Sequence, residues 1–245
     1  MILSDIGMLI VSSPRAKAYL QTLVKNNLYP SYILLLEDKS QSLLPGQLTN
    51  DVVGKKPKKI DRDQECNTFF NKNEPLIKTI EKHNLKHEIC HNTDVNSKEV
   101  INRIKKQPQK YIIYSGYGGA ILKKEILNCG KKFIHIHSGH VPFYKGSTTI
   151  YYGILNEDKC SVSSIFLDEK IDQGSIIKIK EYPKPKDGRS IDYDYDPYIR
   201  SDLLVEAIKD YIKKDSFPVQ KQGKNGETYF IIHPVLKHIA ILSCN

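Results

Sequence analysis

Two hydrophobic rhythms alternate along the chain. "MLIV" at residues 8–11 and "YILLLE" at residues 32–37 are unbroken apolar runs of strand length, the kind expected of parallel strands covered on both faces. Between them, "SSPRAKAYLQTLVKNN" offers Ser12, Ser13 and Pro14 as a helix start and sets Tyr19, Leu20, Leu23 and Val24 on one face. The first forty residues therefore predict β-α-β. Residues 38–72 break the rhythm with Pro45, Gly46, Gly54, Pro57 and the lysine cluster "GKKPKK", and read as a long loop or lid.

The alternation resumes with helix-like "NEPLIKTIEKHNL" and "NSKEVINRIKKQ", the buried-type strand "KYIIYSG", a short helix in "AILKKEILNCG" stopped by Gly130, and the strand "FIHIH". After a helix in "STTIYYGILNED" come "SVSSIFL" and "GSIIKIKEY". The linker "DEKIDQ" is too short for a helical crossover, so these two strands should pair antiparallel. "DYDYDPYIRSDLLVEAIKDYIKKD" is an amphipathic helix behind an acidic-aromatic turn. The expected fold is α/β: a Rossmann-like, doubly wound, mostly parallel sheet with an antiparallel edge, its ligands gathered beyond the carboxyl ends of the strands. Residues 1–215 are expected to form this domain and residues 216–245 a short C-terminal extension.

Composition narrows the picture. A chain of 245 residues can build one large α/β domain with a sizeable core. It contains no apolar run of 18 residues, and Asp5 interrupts the apolar N-terminus, which argues against a membrane span or secretory signal and for a cytoplasmic protein. Five widely spaced cysteines without a C-x-x-C pair predict reduced thiols. The net charge of +9 favours an anionic partner, yet only five of the 37 basic residues are Arg. Specific phosphate or base recognition favours the Arg fork, so most of the lysines read as a solvated coat and nucleic acid is disfavoured.

Chemistry concentrates in "FIHIHSGHVPFYKG" (residues 133–146), with three of the eight histidines. On a strand His135 and His137 point to the same side and can serve one site, while His140 lies beyond Gly139. Three readings compete: a metal site completed by Asp172 or by the Cys90–His91 pair, an acid/base centre, and satisfied polar residues at a strand end.

The order of this region resembles the folate-dependent formyltransferases, the family of methionyl-tRNA, glycinamide ribonucleotide and sugar-nucleotide formyltransferases. The family pattern is N-x-H-P-S/G-x-x-P-x-x-x-G followed by an acidic loop of the type D-x-x-x-D-x-G. His137 stands at the family's catalytic His, Pro142 and Gly146 at its turn residues, and Asp172 at its catalytic Asp, followed by Gln173 and Gly174. There are two departures: His135 replaces the catalytic Asn, and Ser138 replaces the Pro after the His. The resemblance implies 10-formyltetrahydrofolate as co-substrate with no metal cofactor, and a folate wall at Gly118, Gly119, Ala120, Ile121, Leu122 and Asp168. Ser12, Ser13 and Arg15 at the first strand-to-helix turn, with Lys145, are the candidate contacts to the substrate's phosphate or carboxylate.

A donor, a His and a carboxylate suffice for formyl transfer, which needs an oxyanion stabilised and a proton moved. An imidazole N–H at His135 can donate as the amide would. The acceptor is expected to be a primary amine on an amino-sugar nucleotide. Methionyl-tRNA enzymes carry a sizeable C-terminal barrel, glycinamide ribonucleotide enzymes a glycine-rich first loop, and neither pattern stands here. A homodimer is a further expectation. The alternatives are a metal-dependent hydrolase using His135, His137 and Asp172, or a catalytically weak folate-binding or deformylating relative.

Overall fold

The computed structural model describes residues 1–38 and 70–244. The loop or lid expected over residues 38–72 falls mainly on 39–69, outside the described residues. In chain order the elements are β1 (Ile2–Val11), α1 (Pro14–Lys25), β2 (Tyr29–Leu36), α2 (Leu76–Lys82), β3 (His87–Cys90), α3 (Lys98–Lys105), β4 (Tyr111–Ser115), α4 (Lys124–Leu127) and β5 (Lys132–His137). There follow β6 (Tyr144–Gly146), α5 (Thr149–Glu157), β7 (Lys159–Phe166), β8 (Ile176–Pro183), helical turns at Gly188–Ser190 and Ile191–Tyr195, α6 (Asp196–Lys214), β9 (Glu227–Tyr229) and α7 (Pro234–Leu242).

Seven strands form one sheet in the order β3-β2-β1-β4-β5-β7-β8. The first five are mutually parallel, and β7 and β8 add an antiparallel edge. The expected fold class is thus the observed one. Because side chains alternate across a strand, each central strand feeds two cores. Met8 and Ile10 of β1 and Ile33 and Leu35 of β2 pack with α1, α2, α5 and α6, while Leu9, Val11, Leu34 and Leu36 pack with α3 and α4. Strand order reverses between β1 and β4, which places the crevice typical of doubly wound sheets beside their carboxyl ends.

Ser13 caps α1, its hydroxyl accepting from Ala16 N–H at 3.2 Å with Pro14 following, as the sequence predicts. Two features escaped the pattern. β3, "HEIC", is a half-buried edge strand with no apolar run, and the three-residue strands β6 and β9 pair only with each other. Four cysteines (90, 129, 160 and 244) are buried free thiols. Among the described residues, no helix is long and apolar enough to cross a membrane.

Candidate active site

β5 delivers Phe133, His135 and His137 to the face of the sheet occupied by α3 and α4, with Phe133 inside that core and the histidines toward its open end. Beyond His137 the chain turns back through Gly139 and a cis Val141–Pro142 bond. A Cβ at Gly139 would stand 2.5 Å from both His137 Nε2 and the Tyr144 carbonyl, so only glycine lets the turn fold over the imidazole. That turn sets the tautomer. His137 Nε2 lies 2.7 Å from the Tyr144 carbonyl oxygen, which can only accept, so Nε2 carries the hydrogen and Nδ1 is left for Asp172 Oδ2 at 3.4 Å.

Asp172 is held on every side. Its φ is +52°, a left-handed conformation that Asp tolerates better than most residues, and its Oδ2 accepts from Gly146 N–H at 2.8 Å. The Gln222 side chain donates to the Asp172 carbonyl at 2.8 Å and to the Gly174 carbonyl at 2.6 Å. Gln222 belongs to the expected C-terminal extension, which packs onto this site. Gly146, at φ +100°, lies so close to Tyr229 that a Cβ would sit 2.1 Å from the Tyr229 carbonyl, and this approach lets β6 pair with β9. Tyr144 stacks on Tyr229 at a ring centroid distance of 5.2 Å, and Tyr152 meets it in a tilted contact at 4.4 Å.

His135 differs from its neighbour. Its Nδ1 is buried and has no hydrogen-bond partner among the described residues. Burial pushes its pKa down to about 3, Arg200, His137 and Arg15 adding to the effect while Asp172 opposes it, so the ring is neutral at physiological pH.

The two strand-end carbonyl and hydroxyl groups beside the histidines are tied to α6. Ser138 Oγ donates to Asp196, both carboxylate oxygens of Asp196 accept from Arg200 Nε at 2.8 Å, and Arg200 donates to the Ile136 carbonyl. This pair is almost fully buried.

A cleft of about 110 Å³ opens beside the histidines, lined by Tyr114, His135, Ala120–Leu122 and Leu167–Asp172. Pockets for whole ligands commonly measure about 300–1,000 Å³, so this one fits a ring system and leaves the remainder of a ligand outside. A wider hollow of about 450 Å³, lined by Glu88, Glu99, Asn102, Arg103, Lys106 and Gln107, is a groove of ion-paired side chains that includes none of these residues.

The structure therefore gathers His135, Ala120, Ile121, Leu122, Asp168 and Asp172 in one cleft, with His137 behind Asp172. Gly118 and Gly119 sit on the exposed loop before it and do not line it. Arg15 is half-buried and its guanidinium donates to the Gly116 carbonyl at 3.3 Å, spanning the gap between the ends of β1 and β4. Ser12 is exposed and Ser13 is engaged in capping. Lys145 is buried, and its ammonium donates to the Gly226 carbonyl at 3.2 Å, which anchors β9.

Sequence reading missed Tyr114, Gln222, the Arg200–Asp196 pair and Asn96. Asn96 fixes the cleft wall by donating to the Ile121 carbonyl at 2.9 Å and accepting from Lys123 N–H at 2.7 Å. The only available signal was Asp196 and Arg200 at i,i+4 on a helix, which is ordinary surface grammar.

No family model matches the chain. A methionyl-tRNA formyltransferase from Halothermothrix orenii is 28% identical over 149 residues, covering 60% of this chain and 47% of that protein. The chain spans half or less of the length of the curated relatives it matches. A sugar N-formyltransferase from a Shewanella species superposes with a TM-score of 0.57 at 16% identity, covering 98% of this chain and 87% of that one. An N-formyltransferase from Helicobacter canadensis, in complex with folinic acid and dTDP-3-aminofucose, superposes with a TM-score of 0.54 at 17% identity, covering 94% and 71%. The chain has the fold of these formyltransferases, and its sequence relatives are methionyl-tRNA formyltransferases, in keeping with a formyltransferase enzyme.

Proposed function

We propose that the chain transfers the formyl group of 10-formyltetrahydrofolate to a primary amine carried by a nucleotide-linked amino sugar. The observation that carries this reading is the His137–Asp172 pair, tautomer-fixed and buried beside a ring-sized cleft lined by a neutral imidazole whose Nδ1 has no hydrogen-bond partner among the described residues. The folate head occupies the cleft between Ala120–Leu122 and Leu167–Asp172, which brings its formyl carbon to the histidines. The amine nitrogen bonds to that carbon, and the carbonyl oxygen becomes an oxyanion that accepts a hydrogen bond from the His135 N–H. The Asp172–His137 pair takes the proton from the amine and returns one to the folate nitrogen as the C–N bond to folate breaks. The neighbour solved with folinic acid and dTDP-3-aminofucose supports both ligand classes, and the net charge of +9 suits a diphosphate.

The test is a panel of amino-sugar nucleotides, including dTDP-3-aminofucose, incubated with 10-formyltetrahydrofolate while tetrahydrofolate release and amine formylation are followed. Formylation of one amine, lost in His137→Asn, supports the reading. Formate release at the same rate without any amine would instead identify a deformylase, and initiator methionyl-tRNA as the sole acceptor would transfer the reading to that substrate.

A further inference from the structure

The site brings three ligand atoms together. One ring nitrogen from each of His135 and His137 and one carboxylate oxygen of Asp172 lie within 4.8 Å of one another. Two of these positions already have the separation a metal would impose. A tetrahedral zinc ion with ligands at about 2.1 Å holds them about 3.4 Å apart, and His137 Nδ1 stands 3.4 Å from Asp172 Oδ2. Each of the two is also braced in the manner of a metal ligand. His137 directs its Nε2–H to a backbone carbonyl, which leaves Nδ1 with a lone pair, and the Asp172 carboxylate accepts a backbone N–H from Gly146. A lone pair and a carboxylate facing each other across 3.4 Å repel unless a proton or a cation is shared between them. The third position is His135, whose Nδ1 is buried without a hydrogen-bond partner among the described residues.

We propose that His135, His137 and Asp172 form a binding site for a zinc-class divalent cation, and that the cation blocks the centre when it binds. The inference rests on the functional reading above only for the word "blocks". The His135 Nδ1 would carry a hydrogen as the oxyanion donor and a lone pair as a metal ligand, so this nitrogen cannot serve both uses at once. His137 Nδ1 and Asp172 likewise cannot shuttle a proton while both ligate an ion. Two imidazoles and a carboxylate select zinc or cobalt over magnesium or calcium, which favour oxygen ligands. The residue responsible is His135, because an Asn at this position would leave one imidazole and one carboxylate and no third ligand.

The experiment uses the full chain, stripped with chelator and titrated with Zn²⁺ against a chromophoric competitor, with a parallel Co²⁺ titration read by the visible absorption of tetrahedral cobalt. One equivalent should bind, and His135→Asn and Asp172→Asn should each weaken binding at least about tenfold, with unchanged circular dichroism. Wild-type formyl transfer should be maximal with chelator present and fall as the same equivalent of Zn²⁺ is added. Binding that is absent, or equally tight in both variants, overturns the proposal. If Zn²⁺ binds as expected but no amine is formylated with chelator present, the metal site stands and the formyl-transfer reading falls. If formyl transfer proceeds unchanged with excess Zn²⁺, the blocking role is overturned alone.

Discussion

The two halves of the sheet are built on different principles. In β3-β2-β1-β4 the strands are parallel and their cores are formed by Ile, Leu, Val and Met from neighbouring β-α units. The first half buries a few neutral polar groups (Gln21, Thr22, Thr79, Gln109 and Ser115), but the buried ionisable groups, His137, Lys145, Asp172, Asp196 and Asp202, all accumulate in β5-β7-β8 with its adjoining loops and α6, alongside Ser138, Ser163 and Ser164. An apolar core is satisfied by volume alone, whereas each buried polar group needs a partner of the right kind in the right place. The first half is consequently tolerant and the second exacting, and the chemistry belongs to the exacting one.

The largest expected break in this contrast is Arg200→Ala. It leaves Asp196 buried without its counter-charge beside the strand end, and should cost about 3–5 kcal/mol of folding stability in denaturant unfolding. A loss below about 1 kcal/mol would mean that solvent reaches the pair.

Next are His137→Asn and Asp172→Asn, each expected to lower turnover at least about a hundredfold while folate still binds. The double variant should be little worse than either single one if the two act as a unit, and steady-state kinetics of all three decides this. At His135 the replacement matters more than the loss. His135→Ala should cost about a hundredfold in turnover, whereas His135→Asn should retain substantial activity by restoring an amide donor. Equal activity of the two would remove the donor role.

The same imidazole gives a pH prediction. Its folded pKa of about 3 lies below the ordinary value near 6.5, so the unfolded chain binds the proton more readily. Its contribution to stability is complete above about pH 6.5 and is lost as pH falls toward 3. Wild type should lose more stability than His135→Asn between pH 7.5 and 5.5 in matched unfolding curves, and parallel losses would refute the assignment. The smallest effect belongs to the tolerant half: Ile113→Val, a fully buried methyl deletion in β4, should cost about 0.5–1.5 kcal/mol and leave turnover unaltered.

The same division decides what could be read from the sequence. Runs such as "YILLLE" and "KYIIYSG" state their burial on both faces locally, so β1-α1-β2, β4 and the antiparallel β7-β8 pair were legible, as was the juxtaposition of His135 and His137. Gln222 on the backbone of Asp172, Lys145 on Gly226 and Arg200 on Ile136 were not, because no local periodicity records which distant residue satisfies a polar group. β3 escaped for a related reason: an edge strand with one half-buried face needs little apolar content.

The hold of Gln222 on Asp172 also has a consequence for the newly made protein. Fifty residues separate the carboxylate from the side chain that fixes its backbone, and β9, which closes over Gly146, comes later still. During vectorial synthesis the parallel sheet can therefore assemble while the centre is still unfinished. Competence should arrive late, with the emergence of Gln222 and β9, and nascent chains stalled before residue 222 should be folded in their first half yet inert.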